Sequence, residues 1–376
     1  MSTHKEISKK VKKLSKSLKK RVHAPVKELS LKVNPDDLIP TGSCTLNLEC
    51  SGRIEGAFQK GTMVNIIGDS ASGKSIFALT IFAECNKLKR FDNYKFYYND
   101  VEAANAFNLE YLFGKKCASR IDENTRSNTI EEFNDDLANK LKQKDPFIYV
   151  LDSFDALTSE AAIKKDDSNR VKREKGNKVD GSYGDGKPKK SSELFSLRIQ
   201  ELQRHGSLLI IISQTRDNIG FGAMFTPKTR SGGRALKFYA FHEIWLAMQK
   251  KEKEGKRMFK TNVQAKLTKN KLTGRLGESF FSILFDYGID DISSCINFLI
   301  EEGNWTGNKK SVNTQGFMPK ITEQKKKETR ERHPKMSELI SFIEEENKEE
   351  ALYLECQKTY DEVMQKLKPK RKKKYT

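Results

Sequence analysis

The chain has 376 residues, with 70 lysines and arginines against 51 aspartates and glutamates and a formal net charge of +19. That length can bury one large core or several smaller ones, and the cationic excess selects polyanionic partners, because bound cations release counterions from a phosphate backbone. No apolar run reaches the about 18 residues of a membrane helix, and the N-terminus lacks a signal-like apolar region, so the sequence predicts a cytoplasmic protein with no membrane partner.

Taken from the N-terminus, residues 1–39 read as a basic arm. Ile7, Val11, Leu14, Leu18 and Val22 recur every three or four positions among lysines, which makes one apolar stripe on a basic helix. Such a stripe can dock on a neighbouring subunit, lie on an anionic membrane or cap its own domain, and the lysines also suit a nucleic-acid arm or a nuclear-type signal. From about 40 to 305, the runs "MVNII" (63–67), "KFYYND" (95–100), "FIYVLD" (147–152), "SLLIIIS" (207–213) and "FHEIWLAM" (241–248) alternate with helical segments. That alternation predicts an α/β core with a mostly parallel sheet flanked by helices. Two stretches interrupt it and are predicted to be long loops: 164–192, polar and glycine-punctuated, and 215–234, which mixes glycines, aromatics and cations. Residues 306–367 form a charged helical region with Leu339, Phe342, Ile343, Leu352, Val363 and Leu367 as its apolar contacts, and 368–376 a basic disordered tail. Cys44, Cys50, Cys85, Cys117, Cys295 and Cys356 form no CxxC pair and have no histidines at ligand spacing, so they read as reduced packing or surface residues rather than zinc ligands or disulfides.

The octapeptide "GDSASGKS" (68–75) fits the spacing of a phosphate-cradling loop, between a strand-length apolar run and a helix. Gly68 and Gly73 allow a tight turn, and the backbone of Asp69, Ser70, Ala71 and Ser72 can converge on phosphate oxygens at the helix N-terminus. Lys74 can reach the β- and γ-phosphates of ATP, and the Ser75 hydroxyl can ligate Mg2+. The cofactor-binding run closes at Ser75, and position 76 is given no role in it. Asp152 ends an apolar run, as an acid delivered to that Mg2+ would. Glu102, just past another strand, is either a carboxylate that deprotonates an attacking water or a helix-start acid complementing a dipole. Gln214 emerges from "LLIIISQT" (208–215) as a polar residue at a strand end, and "KLTKNKLTG" (266–274) has a plain reading as a lysine-faced strand. Lys269 and Lys271, two apart on such a strand, point to one side.

In family order, "PTGSCTLNLECSGRIEGAFQKGTMVNIIGDSASGKS" (40–75), "NDVEAA", "YVLDSFDALTSEAAI" (149–163), "LLIIISQTRDNIG" (208–220) and "SGGRALKFYAFHEIWL" (231–246) resemble a RecA-family recombinase of the bacterial or phage type. The resemblance covers roughly 40–305 and implies a RecA-like P-loop ATPase core with a twisted sheet, an N-terminal helix docked on the next subunit and a small C-terminal helical region. It implies a helical filament that assembles on single-stranded DNA with ATP and Mg2+ and exchanges strands with homologous double-stranded DNA, with a single-strand-binding or loader protein as a further partner. By that resemblance Glu102 is the catalytic carboxylate, Asp152 supports the metal, Gln214 senses the γ-phosphate, and Lys269 and Lys271 reach a neighbour's γ-phosphate. The two interruptions fall where the family's DNA-binding loops lie, which gives Arg216, Lys228 and Arg230 to phosphates, Phe221, Met224 and Phe225 to bases, and Gly232 and Gly233 to the same loop. The chain departs from the family in a longer, more basic first loop, in "AANAFNLEY" after Glu102, and in a basic tail where the family carries an acidic one; the altered ends point to a phage or mobile-element member. A ring-forming RecA-fold helicase or translocase and a weakly hydrolysing recombination mediator are the competing readings; "GGRALKFYA" argues against the first and the complete nucleotide motifs against the second.

Overall fold

Apolar runs buried on both faces build the centre of the fold, as parallel strands covered by helices require. The computed structural model describes residues 34–176, 178, 187–218, 228–230, 233–325 and 328–371. The helix expected within 5–22 and the last residues of the basic tail lie outside them. The main-sheet strands are β1 (Met63–Gly68), β2 (Lys95–Asp100), β3 (Ile121–Asp122), β4 (Phe147–Asp152), β5 (Leu208–Asp217), β6 (His242–Glu254), β7 (Arg257–Asn270), β8 (Glu278–Leu284) and β9 (Gly288–Asp290), in the spatial order β9-β8-β7-β6-β1-β5-β4-β2-β3. From β6 through β3 all neighbours are parallel, and β7, β8 and β9 continue the sheet antiparallel. The short strand Lys228–Arg230 folds back antiparallel on the end of β5.

Alternation along the strands divides the core in two. Ile148, Val150, Ile210 and Ile212 face helix α1 (Cys44–Ser51) and helix α2 (Lys74–Lys87) through Leu46, Phe77 and Phe82. Tyr149, Leu151, Leu209 and Ile211 face helices α3 (Ile130–Leu141), α5 (Lys187–His205) and α6 (Gly233–Tyr239) through Phe133, Phe195 and Leu236. A third cluster joins Leu48 of α1 to Ile296 and Leu299 of α7 (Asp291–Glu301), Trp305, Leu339 and Ile343 of α8 (Met336–Glu345), and Leu352 and Tyr360 of α9 (Glu349–Lys366). Among the described residues no helix is long and apolar enough to cross a membrane.

The first interruption differs from its expectation as a loop. Helix α4 (Glu160–Glu174) occupies its first part and the start of α5 its last. No glycine or proline falls between Glu160 and Lys175, the Ser159 side chain caps the first turn, and Glu160–Lys164 and Asp167–Arg170 pair along an exposed surface. Pro188 sits in the first turn of α5, where its missing N–H costs nothing. Strands β6 and β7 also run further than the apolar pattern, because Gly255, at φ 59°, turns them into one long hairpin. All six cysteines are buried and free, so none is a surface residue.

Candidate active site

The octapeptide links β1 to α2. Gly73 precedes the helix at φ 90°, a left-handed conformation that favours glycine, and a side chain there would also strike Ile283. A Cβ at Gly68 would meet Ser72 and the carbonyl of Leu246, so Ser70, Ala71 and Ser72 arch closely over the strand end. Lys74 is only 8% exposed, and its Nζ donates to the carbonyls of Gly68 (3.0 Å) and Asp69 (2.6 Å). Burial pushes its pKa below the ordinary lysine value, against the pull of Asp152, Glu102, Asp69 and Asp155. The Ser72 hydroxyl is buried with no hydrogen-bond partner among the described residues. A cation hydrogen-bonded to loop carbonyls and, among the described residues, an orphaned hydroxyl fit a loop that can exchange these contacts for phosphate oxygens. The hydroxyls of the loop stop at Ser75. The residue at position 76 is Ile76, buried in the core cluster with Phe77 and Val263, so its side chain offers the cofactor no ligand.

Beside the loop, β4 brings Asp152 against α2. Ser75 Oγ donates to Asp152 Oδ2 at 2.5 Å, and Tyr98 Oη of β2 donates to the same oxygen at 2.6 Å. Burial raises the Asp152 pKa, opposed by these two hydrogen bonds. A hydroxyl and a carboxylate oxygen in contact are the donor set a Mg2+ ion accepts. Tyr98 gives no functional signal in the sequence, where its strand reads only as aromatic and apolar.

Glu102 stands in a turn after β2, well ahead of the next helix, Leu109–Phe113, so it does not open a helix. Its Oε1 accepts from Ser153 Oγ at 2.5 Å and from Gln214 Nε2 at 2.9 Å. Gln214 lies opposite Gly68 in the β1–β5 register, and its backbone N–H donates to Asp155 Oδ2 at 2.5 Å. Burial raises the Asp155 pKa, and the Gln214 N–H opposes it. Asp155 is a second residue that sequence reasoning missed; it lies in the short helical turn Phe154–Ala156 just past β4, three positions after Asp152.

The second interruption is a hairpin rooted in β5: Thr215, Arg216 and Asp217 pair with Arg230, Thr229 and Lys228. Phe221, Met224, Phe225 and Gly232 lie outside the described residues, and Gly233 opens α6. Arg216 is exposed. Lys228 and Thr215 instead hydrogen-bond Asp69 of the phosphate-loop motif, so the hairpin stem is tied to that loop. Arg230 pairs with Glu243, the two side chains being 11% and 4% exposed, which turns its guanidinium inward rather than to the surface.

The family model for the RecA N-terminal domain matches residues 5–290. The chain belongs to the RecA family. It is 28% identical to Protein RecA of Legionella pneumophila over 293 residues, covering 74% of this chain and 76% of that one. It is 26% identical to Protein RecA of Wolinella succinogenes over 302 residues, covering 73% and 75% of the two chains. To Protein RecA of Chloroflexus aurantiacus it is 27% identical over 282 residues, 72% of each. RecA membership supports recombinase-type function, in DNA recombination and repair with ATP binding, in general terms.

On this RecA-family frame, Lys269 near the end of β7 and Lys271 in the turn just past it reach the same carbonyl end of α6. Lys269 Nζ donates to the carbonyls of Lys237 and Phe238, and Lys271 Nζ to that of Phe238 at 3.5 Å, so both cap the carbonyl end of α6. Asn270 between them is pinned by donation to the carbonyl of Cys50 at 2.9 Å. Burial, reinforced by Lys271, brings the Lys269 pKa down to about 8.

Proposed function

We propose that this chain is a DNA-dependent ATPase that forms filaments on single-stranded DNA and pairs it with homologous duplex. The observation that carries the reading is the hydrogen bond from Gln214, at the root of the DNA-loop hairpin, to Glu102. Bound Mg2+–ATP supplies the phosphoryl group and the metal charge that stabilises its transfer. Lys74 exchanges the carbonyls of Gly68 and Asp69 for phosphate oxygens, and Ser75 and Asp152 hold the metal. Glu102 accepts the proton of the attacking water, and Ser153 and Gln214 fix the carboxylate that does so. Because Gln214 belongs to β5, a change in the hairpin reaches Glu102 through one side chain.

Arg216 and the segment containing Phe221, Met224 and Phe225 contact DNA, while Arg230 holds the hairpin root and Lys228 reports the state of Asp69. Lys269 and Lys271, released from α6, act on the nucleotide of the adjoining subunit, which makes hydrolysis depend on assembly. Residues 40–305 are the ATPase core, and the arm at 1–39 docks on a neighbour.

A D-loop assay with matched and mismatched oligonucleotides, run beside ATP hydrolysis with and without single-stranded DNA, tests the reading. Joints only with matched strands, and hydrolysis stimulated by DNA, are expected. Strand separation without joints would make the chain a translocase; DNA binding with neither joints nor hydrolysis would make it a mediator.

A further inference from the structure

Three sulfur atoms far apart in sequence meet in the third core. Cys44 is the first residue of α1, Cys295 lies within α7 and Cys356 within α9, and all three side chains are buried with their Sγ atoms within 4.8 Å of one another. None is in a disulfide. Asp291, the first residue of α7, borders them: its Oδ1 accepts the backbone N–H of Cys44 at 2.9 Å and lies 3.9 Å from Cys295 Sγ. Tyr353 hydrogen-bonds Asp291 and Cys356 Sγ lies 3.9 Å from the Cys295 carbonyl, and around them Leu48, Ile292, Ile296 and Leu352 belong to the same apolar cluster.

A tetrahedral metal with bonds of about 2.3 Å to sulfur holds its thiolates about 3.8 Å apart, so side-chain rotations of about 1 Å bring this trio to ligand geometry. Thiolates are soft ligands that select zinc over the hard cations taken by carboxylate and hydroxyl oxygens. We propose that Cys44, Cys295 and Cys356 bind one zinc ion, with Asp291 completing a closed tetrahedral site. Three thiolates and one carboxylate around a divalent ion leave the same net charge as a structural site of four cysteines. With its four positions filled by protein the site is structural: it fastens α1, which precedes the nucleotide strand, to α7 and α9. It is separate from the Ser75–Asp152 pair, whose oxygen donors suit Mg2+.

The test uses the full chain, purified under reducing conditions. About one zinc per chain is expected by elemental analysis, and anaerobic exchange for Co2+ should give a thiolate-to-cobalt charge-transfer band with the visible bands of tetrahedral coordination. Cys356→Ser and Cys295→Ser should lose the zinc and the cobalt bands, Asp291→Asn should weaken zinc binding by about 10–100-fold, and Cys85→Ser, buried elsewhere, should keep both. The wild-type cobalt spectrum decides the matter even where a cysteine variant fails to fold. Less than about a tenth of an equivalent of zinc in the wild-type chain after reconstitution, with no thiolate–cobalt band, overturns the proposal, as does equal metal loss in Cys85→Ser and Cys356→Ser.

Discussion

Arg230→Ala separates a DNA contact from a structural ion pair. The guanidinium and the Glu243 carboxylate are 11% and 4% exposed. Glu243 also accepts from Thr268 Oγ1 at 2.9 Å and Trp245 Nε1 at 3.3 Å. Removing Arg230 leaves a buried carboxylate with two neutral donors, and breaking a buried pair in this way costs about 3–5 kcal/mol. Equilibrium urea unfolding should show that loss, and Arg230→Ala combined with Glu243→Gln should recover more than about 2 kcal/mol of the summed single costs, because the stranded charge is gone. Single-stranded DNA binding measured across salt should keep its slope, since the guanidinium is paired with Glu243 and turned inward. A surface arginine on DNA would behave oppositely, costing less than about 1 kcal/mol in stability and lowering the slope by about 0.7. That pair of results would refute the ion-pair reasoning.

Lys74→Ala should abolish ATP-dependent assembly, while Glu102→Gln should keep ATP binding and slow hydrolysis by at least about 100-fold under saturating DNA; a wild-type rate in Glu102→Gln would remove it from the chemistry. Lys269→Ala should bind ATP but lose DNA-stimulated hydrolysis, and mixing it with Lys74→Ala should restore activity at mixed interfaces; no rescue at any ratio would leave Lys269 a cap on α6. Burial, with Glu302 beside it, raises the Glu49 pKa to about 7. Between its ordinary value and about 7 the folded state binds more protons than the unfolded state, so Glu49 lowers stability progressively as pH rises across that window. Glu49→Gln should therefore melt higher than wild type at pH 8 and match it near pH 4, by thermal unfolding followed across pH; a constant difference between the two would contradict the shift.

The nucleotide strands were legible because parallel strands buried on both faces write themselves as continuous apolar runs, and "MVNII", "FIYVLD" and "LLIIIS" have no competing periodicity. The polar residues ending those runs, Asp152 and Gln214, could be picked out for the same reason. Helix α4 was not legible: it buries no residue, so it carries no apolar stripe, and its cap and charge pairs are weak signals inside a polar stretch. Arg230 illustrates a different limit. Its partner lies thirteen positions on, beyond a short helix, and composition alone places a cation in a basic loop on the surface. The cysteine cluster was hidden by distance, since residues 44, 295 and 356 share no local spacing rule.

The match to the RecA N-terminal domain ends at residue 290, and α7 begins at Asp291. From there α7, α8 and α9 build their own apolar cluster, and Cys44 and Leu48 are its contribution from α1. Lys74, Glu102, Asp152 and Gln214 all precede that seam. The third core therefore fastens the segment beyond residue 290 to the matched region through one flank of α1, the helix that precedes β1 and the phosphate-loop motif.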